Sequence, residues 1–197
     1  MKKLFATAAA IIVNALAFST VHATPFTNGN FENGTTGWTY SGNVSTATPV
    51  YFGAGSATKD GNTMIAFNSG DTAANGWLMQ TFDTVAGATY VVSFGYGMAG
   101  AGGSQELDAF ALNASGASLG NMAAVSNHKG DLDTFTFKFK ADGAKATLKF
   151  VDNTHNNTVS LDGVLDNASV SNVPEPASLA LVGLGLLSLG FVARRRS

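Results

Sequence analysis

The chain has 197 residues, no cysteine and a formal charge of −2, from 11 Lys/Arg against 13 Asp/Glu. Five of those basic residues (Lys2, Lys3 and Arg194 to Arg196) lie at the two ends, so Thr24 to Asn172 holds six Lys against twelve Asp/Glu and carries −6. This balance excludes nucleic acid and anionic lipid as partners, because both need clustered Lys/Arg; it suits neutral polysaccharide or divalent cations, and the fold has no disulfides to hold it.

The first element is a targeting segment. Lys2 and Lys3 precede an uncharged stretch from Leu4 to Phe18, and Val21-His22-Ala23 supplies small residues at the positions a signal peptidase reads. The apolar run is shorter than the roughly 20 residues that span a bilayer. Residues 1–23 are therefore expected to be a secretory signal peptide, cleaved after Ala23.

From Thr24 to Asn172 no segment has a convincing 3.6-residue period, whereas period-two alternation recurs. Strands are expected over Trp77 to Phe82, Tyr90 to Tyr96, Asp108 to Asn113, Thr134 to Lys140, Ala146 to Val151 and Val164 to Val170. Gly, Asn and Asp clusters at 60–62, 86–88, 100–104, 142–143 and 152–157 separate them. Many short strands between such turns predict a single all-β domain over 24–172, a sandwich of jelly-roll type.

Three local patterns add a resemblance. Asn28-Gly29-Asn30-Phe31-Glu32-Asn33-Gly34 followed by Gly37-Trp38 opens the domain; Met79-Gln80-Thr81-Phe82 and Val85 to Phe94 form its centre; Leu165-Asp166-Asn167-Ala168-Ser169-Val170 closes it. In this order they resemble the galactose-binding-like jelly rolls, the architecture of many carbohydrate-binding modules. The resemblance implies a structural calcium, with Glu32 and Asp166 as carboxylate ligands beside backbone carbonyls. Asn167 departs from the pattern, standing where a second Asp is frequent. Calcium takes six to eight such oxygens, and an ion joining the first and last strands would clamp a domain without disulfides.

Sugar binding asks for aromatic platforms beside amides or carboxylates. Trp77, Tyr40 and Tyr51 are the candidates, whereas Trp38 and Tyr96 read as core. Catalytic groupings are poor. His128 and His155 lack zinc-site spacing, there is no Gly-x-Ser-x-Gly elbow, and Asp152 and His155 read as a solvated turn. The pairs Glu106/Asp108 and Asp131/Asp133 leave glycoside hydrolysis as a lesser alternative. Isolated Thr-x-Thr pairs do not make an ice-binding array.

At the C-terminus, Pro174-Glu175-Pro176 leads into the apolar run Ala177 to Ala193 and then Arg194-Arg195-Arg196. The run of 17 residues makes about 25 Å of helix at roughly 1.5 Å per residue, short against a hydrocarbon core of about 30 Å. The arginines hold their end on the cytoplasmic side. Residues 173–197 resemble the PEP-CTERM sorting signal of Gram-negative bacteria, which is recognised by an exosortase. The resemblance implies a short transmembrane helix that holds the chain transiently in the inner membrane before it reaches the cell surface. The expected role is a non-catalytic module of the extracellular polysaccharide matrix, with a purely structural surface protein as the alternative.

Overall fold

The computed structural model describes residues 24–48, 61, 63–100 and 103–173; the expected signal peptide, Tyr51 and the sorting segment from Pro174 onward lie outside these. Among the described residues there is no helix. Ten strands run in chain order: β1 (Thr39–Ser41), β2 (Val44–Ala47), β3 (Met64–Phe67), β4 (Trp77–Asp83), β5 (Thr89–Gly100), β6 (Gln105–Leu112), β7 (Ser118–Ser126), β8 (Asp133–Lys140), β9 (Lys145–Asp152) and β10 (Leu161–Val173). They form two five-stranded antiparallel sheets, ordered β1-β4-β9-β6-β7 and β2-β3-β10-β5-β8. The all-β sandwich expected from the alternation is the fold.

Alternation decides what fills the space between the sheets. From β5, Tyr90, Val92, Phe94 and Tyr96 point inward; from β8, Phe137 and Phe139 join them; from β9 come Ala146, Leu148 and Phe150. Phe94 meets Phe150 edge-on at 5.0 Å between ring centroids and stacks on Phe135 at 5.8 Å. Each buried phenylalanine contributes about 1.5–3 kcal/mol of apolar burial. With no disulfides, this aromatic layer holds the sheets together.

The opening motif is built around one side chain. Asn28 Nδ2 donates to the carbonyls of Gly34 and Thr36, both at 2.9 Å, and its Oδ1 accepts the Asn33 N–H. Trp38 is buried, with Nε1 donating to the Asn28 carbonyl at 3.0 Å. The loop reaches the closing strand, where the Ala168 N–H donates to the Gly29 carbonyl at 2.8 Å. There β10 slips register between Asp166 and Ser169, and Asn167 takes a φ of 55°. Asn tolerates that left-handed conformation better than most residues, which suits Asn167 to the bulge.

The N-terminal segment is pinned to β4. The Thr24 N–H donates to Asp83 Oδ2, the Asp83 N–H returns a bond to the Thr24 carbonyl at 2.9 Å, and Lys145 Nζ lies 2.5 Å from Asp83 Oδ1. The Lys145 bond, then the Thr24 amide, holds the Asp83 carboxyl below its ordinary range. Its contribution is present above the ordinary Asp range and is lost as pH falls through the lowered value. Cleavage after Ala23 would turn the Thr24 amide into an ammonium on the same carboxylate. Asp83→Asn should therefore lower the thermal midpoint of the exported protein slightly at low salt, and the difference should shrink at 1 M salt, where exposed pairs are screened. Equal midpoints at low salt would remove the pair from the account.

One part of the interior is polar. Asn68, Tyr96, Gln105 and Asp152 are buried. Tyr96 Oη and Gln105 Oε1 have no hydrogen-bond partner within the described protein, and the Asn68 amide faces the Asp152 carboxylate. A buried polar group left in that state costs about 1–3 kcal/mol. Burial, with Asp162 adding to it, pushes the Asp152 carboxyl up to about 6, and burial raises the Tyr96 phenol well above its ordinary range.

Candidate functional site

The two sheets differ in what they leave open. On the β2-β3-β10-β5-β8 sheet the outward Met64, Ala66, Ala99 and Val164 are buried in a small cluster, with Leu132 packed against it. The 128–132 segment is tied down there by Met98 N–H to the His128 carbonyl and Gly130 N–H to the Met98 carbonyl. The β1-β4-β9-β6-β7 sheet presents half-buried apolar side chains outward instead. Because Leu78, Gln80 and Phe82 of β4 point inward, Trp77, Met79 and Thr81 point out. The same phase turns Thr147, Lys149 and Val151 of β9 outward, along with Glu106, Asp108 and Phe110 of β6.

Register lines these up across the sheet. Trp77 pairs with Val151, and Val151 with Asp108; Met79 pairs with Lys149, and Lys149 with Phe110. Lys149 Nζ stands 5.2 Å from the Trp77 ring centroid, and Asn153 Nδ2 donates to Asp108 Oδ2 at 3.1 Å. A pyranose ring has an apolar C–H face that packs on an aromatic plane and hydroxyls that bond well to ionised groups. Trp77 and Phe110 supply the first, and Asp108, Lys149 and Asn153 the second.

Of the residues the sequence pointed to, Trp77 sits in this strip. Tyr40 is exposed on edge strand β1, paired with Leu78, beside the strip rather than in it. Met79, Phe110 and Lys149 escaped the sequence reading, although Asp108 to Asn113 was already expected as a strand. Its alternation would have placed Asp108 and Phe110 on one face.

Glu32 and Asp166 come to the same end of the β3–β10 pair. Glu32 Oε1 accepts the N–H of Thr63, the residue before β3, at 2.9 Å. Leu165 pairs with Ile65, so Asp166 follows opposite Met64. Asp166 is buried and its Oδ1 accepts the Asn167 N–H at 2.7 Å. The backbone at Gly61 closes on the Glu32 carboxylate so tightly that an added Cβ would lie 2.1 Å from Oε1. Two carboxylates and a close backbone fit a calcium of mixed oxygen ligation. Among the described residues no three His, Cys, Asp or Glu side chains are grouped to share a metal ion, so amide, hydroxyl and backbone oxygens would have to complete any site.

Ser126, His128 and Asp133 do meet, but in an order unsuited to nucleophilic catalysis. Asp133 Oδ2 accepts the Ser126 hydroxyl at 2.7 Å and Oδ1 contacts His128 Nδ1 at 2.6 Å. A triad needs the imidazole between the hydroxyl and the carboxylate; here the carboxylate stands in the middle, leaving the hydroxyl no imidazole base. Asp152 and His155 do not form a unit, since Asp152 bonds Asn156 and His155 bonds Asn153. Glu106 and Asp108 both face the open sheet, about 7 Å apart along β6 by strand geometry.

Residues 172–196 match the PEP-CTERM protein-sorting motif, which marks the chain for export and cell-surface sorting. No curated protein matches the chain. Among solved structures, it is similar to TmCBM61 in complex with β-1,4-galactotriose, at 15% identity and a TM-score of 0.54, covering 76% of this chain and 99% of that one. It is also similar to a CBM4 structure, at 12% identity and a TM-score of 0.50, covering 73% and 99%. An arabinose-bound MgGH51 α-L-arabinofuranosidase matches at 10% identity and a TM-score of 0.54, over 76% of this chain and 26% of the enzyme. What these structures share with this chain is the two-sheet β-sandwich fold.

Proposed function

We propose that this chain is an exported, exosortase-processed surface protein whose sandwich binds extracellular polysaccharide without cleaving it. The observation that carries the reading is the strip of Trp77, Met79 and Phe110, flanked by Asp108, Lys149 and Asn153, on the open sheet of a carbohydrate-binding-module fold. A strip that crosses neighbouring strands suits a length of glycan chain, with sugar faces on the aromatic side chains and hydroxyls at the charged and amide groups. The Ala23 cleavage and the passage through the inner membrane of a Gram-negative cell belong to the same reading. Affinity of the exported protein for polysaccharide extracted from the producing cells tests it. Retention on the immobilised polymer is expected, and full recovery in the flow-through of folded protein would leave the purely structural role.

Calcium held by Glu32 and Asp166 is part of this proposal. The ion would supply positive charge that ties the opening loop to β10, keeping the sandwich closed at that end. A ligand that binds only the folded state adds about 2.7 kcal/mol at a hundredfold excess over its dissociation constant, roughly 5–10 °C in a domain of this size. Calcium should raise the thermal midpoint of chelator-treated protein, and Glu32→Gln or Asp166→Asn should each shrink the rise by about that amount. A calcium response identical in parent and both variants would refute these ligands.

A further inference from the structure

The unpartnered interior polar atoms gather at the end of the sandwich away from the Glu32–Asp166 pair. Asp152 ends β9 and pairs with Leu107 of β6; Gln105 lies two residues before Leu107 on the same inward face. Gln105 Nε2 is engaged by the carbonyls of Asn157 at 2.9 Å and Leu161 at 2.7 Å, so its free atom is the oxygen. Asn156 Nδ2 donates to Asp152 Oδ1 at 2.6 Å, and Oδ2 is turned toward the Asn68 amide. From the opposite sheet, the Tyr96 hydroxyl passes over Gly163, where an added Cβ would lie 2.3 Å from Oη. Asn68 follows β3 with a φ of 65° and is fully buried. The groups acting on the Asp152 carboxylate are the Asn156 and Asn68 amides, the Asn153 backbone and the Asp162 carboxylate; no cationic side chain is among them.

Among the described residues, four oxygens from both sheets, one of them from the Asp152 carboxylate, with the Asp162 carboxylate nearby, match the oxygen preference of a hard divalent cation. We infer that Asp152 Oδ2, Asn68 Oδ1, Gln105 Oε1 and Tyr96 Oη hold a calcium ion between the sheets, with Asp162 helping to balance its charge. This site is separate from Glu32 and Asp166. It also reaches the open sheet: Asn156, which holds Asp152, accepts the Glu106 N–H at 2.8 Å and donates to the Glu106 carbonyl at 2.7 Å. An ion here would fix the 152–161 connection against β6.

The test uses the exported protein carrying Glu32→Gln, so that the other site is silent. After chelation and dialysis it is titrated with calcium chloride by calorimetry, and separately with terbium under tyrosine excitation. One calcium per chain is expected, together with tyrosine-sensitised terbium emission. Tyr96→Phe, which removes a single oxygen, should weaken binding at least tenfold and abolish that emission. Asp152→Asn should abolish binding. If Asp152→Asn does not fold, Tyr96→Phe and Gln105→Leu, with folding checked by circular dichroism, decide the matter. Absence of calcium binding in Glu32→Gln protein would overturn the inference, as would unchanged affinity in folded Tyr96→Phe and Gln105→Leu. A crystal structure grown in calcium with only waters among these oxygens would do the same.

Discussion

A chain carrying Pro174→Ala and Pro176→Ala should accumulate in the inner membrane as a precursor that still ends at Ser197, with little or none at the cell surface. Without the tripeptide, the apolar run and Arg194 to Arg196 remain, so the uncleaved chain keeps both features that hold it in the membrane. The arginines resist translocation, and the 17 apolar residues from Ala177 to Ala193 stay attached to them. In this account Pro174-Glu175-Pro176 is what licenses release, so its loss should convert near-complete export into near-complete retention. Fractionation with antibody detection reads the distribution, and mass spectrometry of surface protein reads the C-terminus. Surface protein recovered with intact peptides through Ser197 would mean that the segment is a lasting anchor.

The second large effect concerns the open sheet. Trp77→Ala should reduce binding to polysaccharide extracted from the producing cells by about ten- to a hundredfold, because truncating a central aromatic side chain in an interface commonly costs 2 kcal/mol or more. Phe110→Ala should act in the same direction, and the double variant should leave no measurable binding. Both side chains are half-buried on the outer face, so the core between the sheets is untouched and thermal midpoints should stay close to the parent's. Lys149→Ala separates two roles for that ammonium. It lies over the Trp77 ring at 5.2 Å, so its removal weakens binding if it bonds sugar hydroxyls and strengthens binding if it merely covers the ring. Trp77→Ala and Phe110→Ala proteins that bind as well as the parent would move the site off this face.

Much of the sandwich was legible because large residues mark the buried side of a strand. Phe135, Phe137 and Phe139 alternate with Thr and Lys in β8, and the Tyr90 to Tyr96 series does the same in β5, so their phase was plain. In β6 the opposite happens. Leu107, Ala109 and Ala111 face inward and Phe110 faces outward, so two small side chains take core positions while a ring takes an outer one. Side-chain size alone would bury Phe110, which hid half of the aromatic strip. β7, read as neither strand nor turn, is an edge strand in which Ser, Gly, Asn and Ala, residues of little β-propensity, outnumber Leu119, Met122 and Val125. β3 was missed for another reason: Met64 to Phe67 is buried on both faces, so it does not alternate. The polar interior was invisible because it unites residues as distant as Asn68 and Asp152, whose meeting depends on the packing of one sheet on the other.

The most direct test of the central claim is a glycan array probed with the exported protein, alongside Trp77→Ala as control. Binding to a set of polysaccharide fragments is expected, with strong loss of that signal in the control and no change in the length of the bound glycans. Silence across the array from folded, calcium-loaded protein would contradict it in favour of a structural surface role; shortened glycans would contradict it in favour of hydrolysis at Glu106 and Asp108.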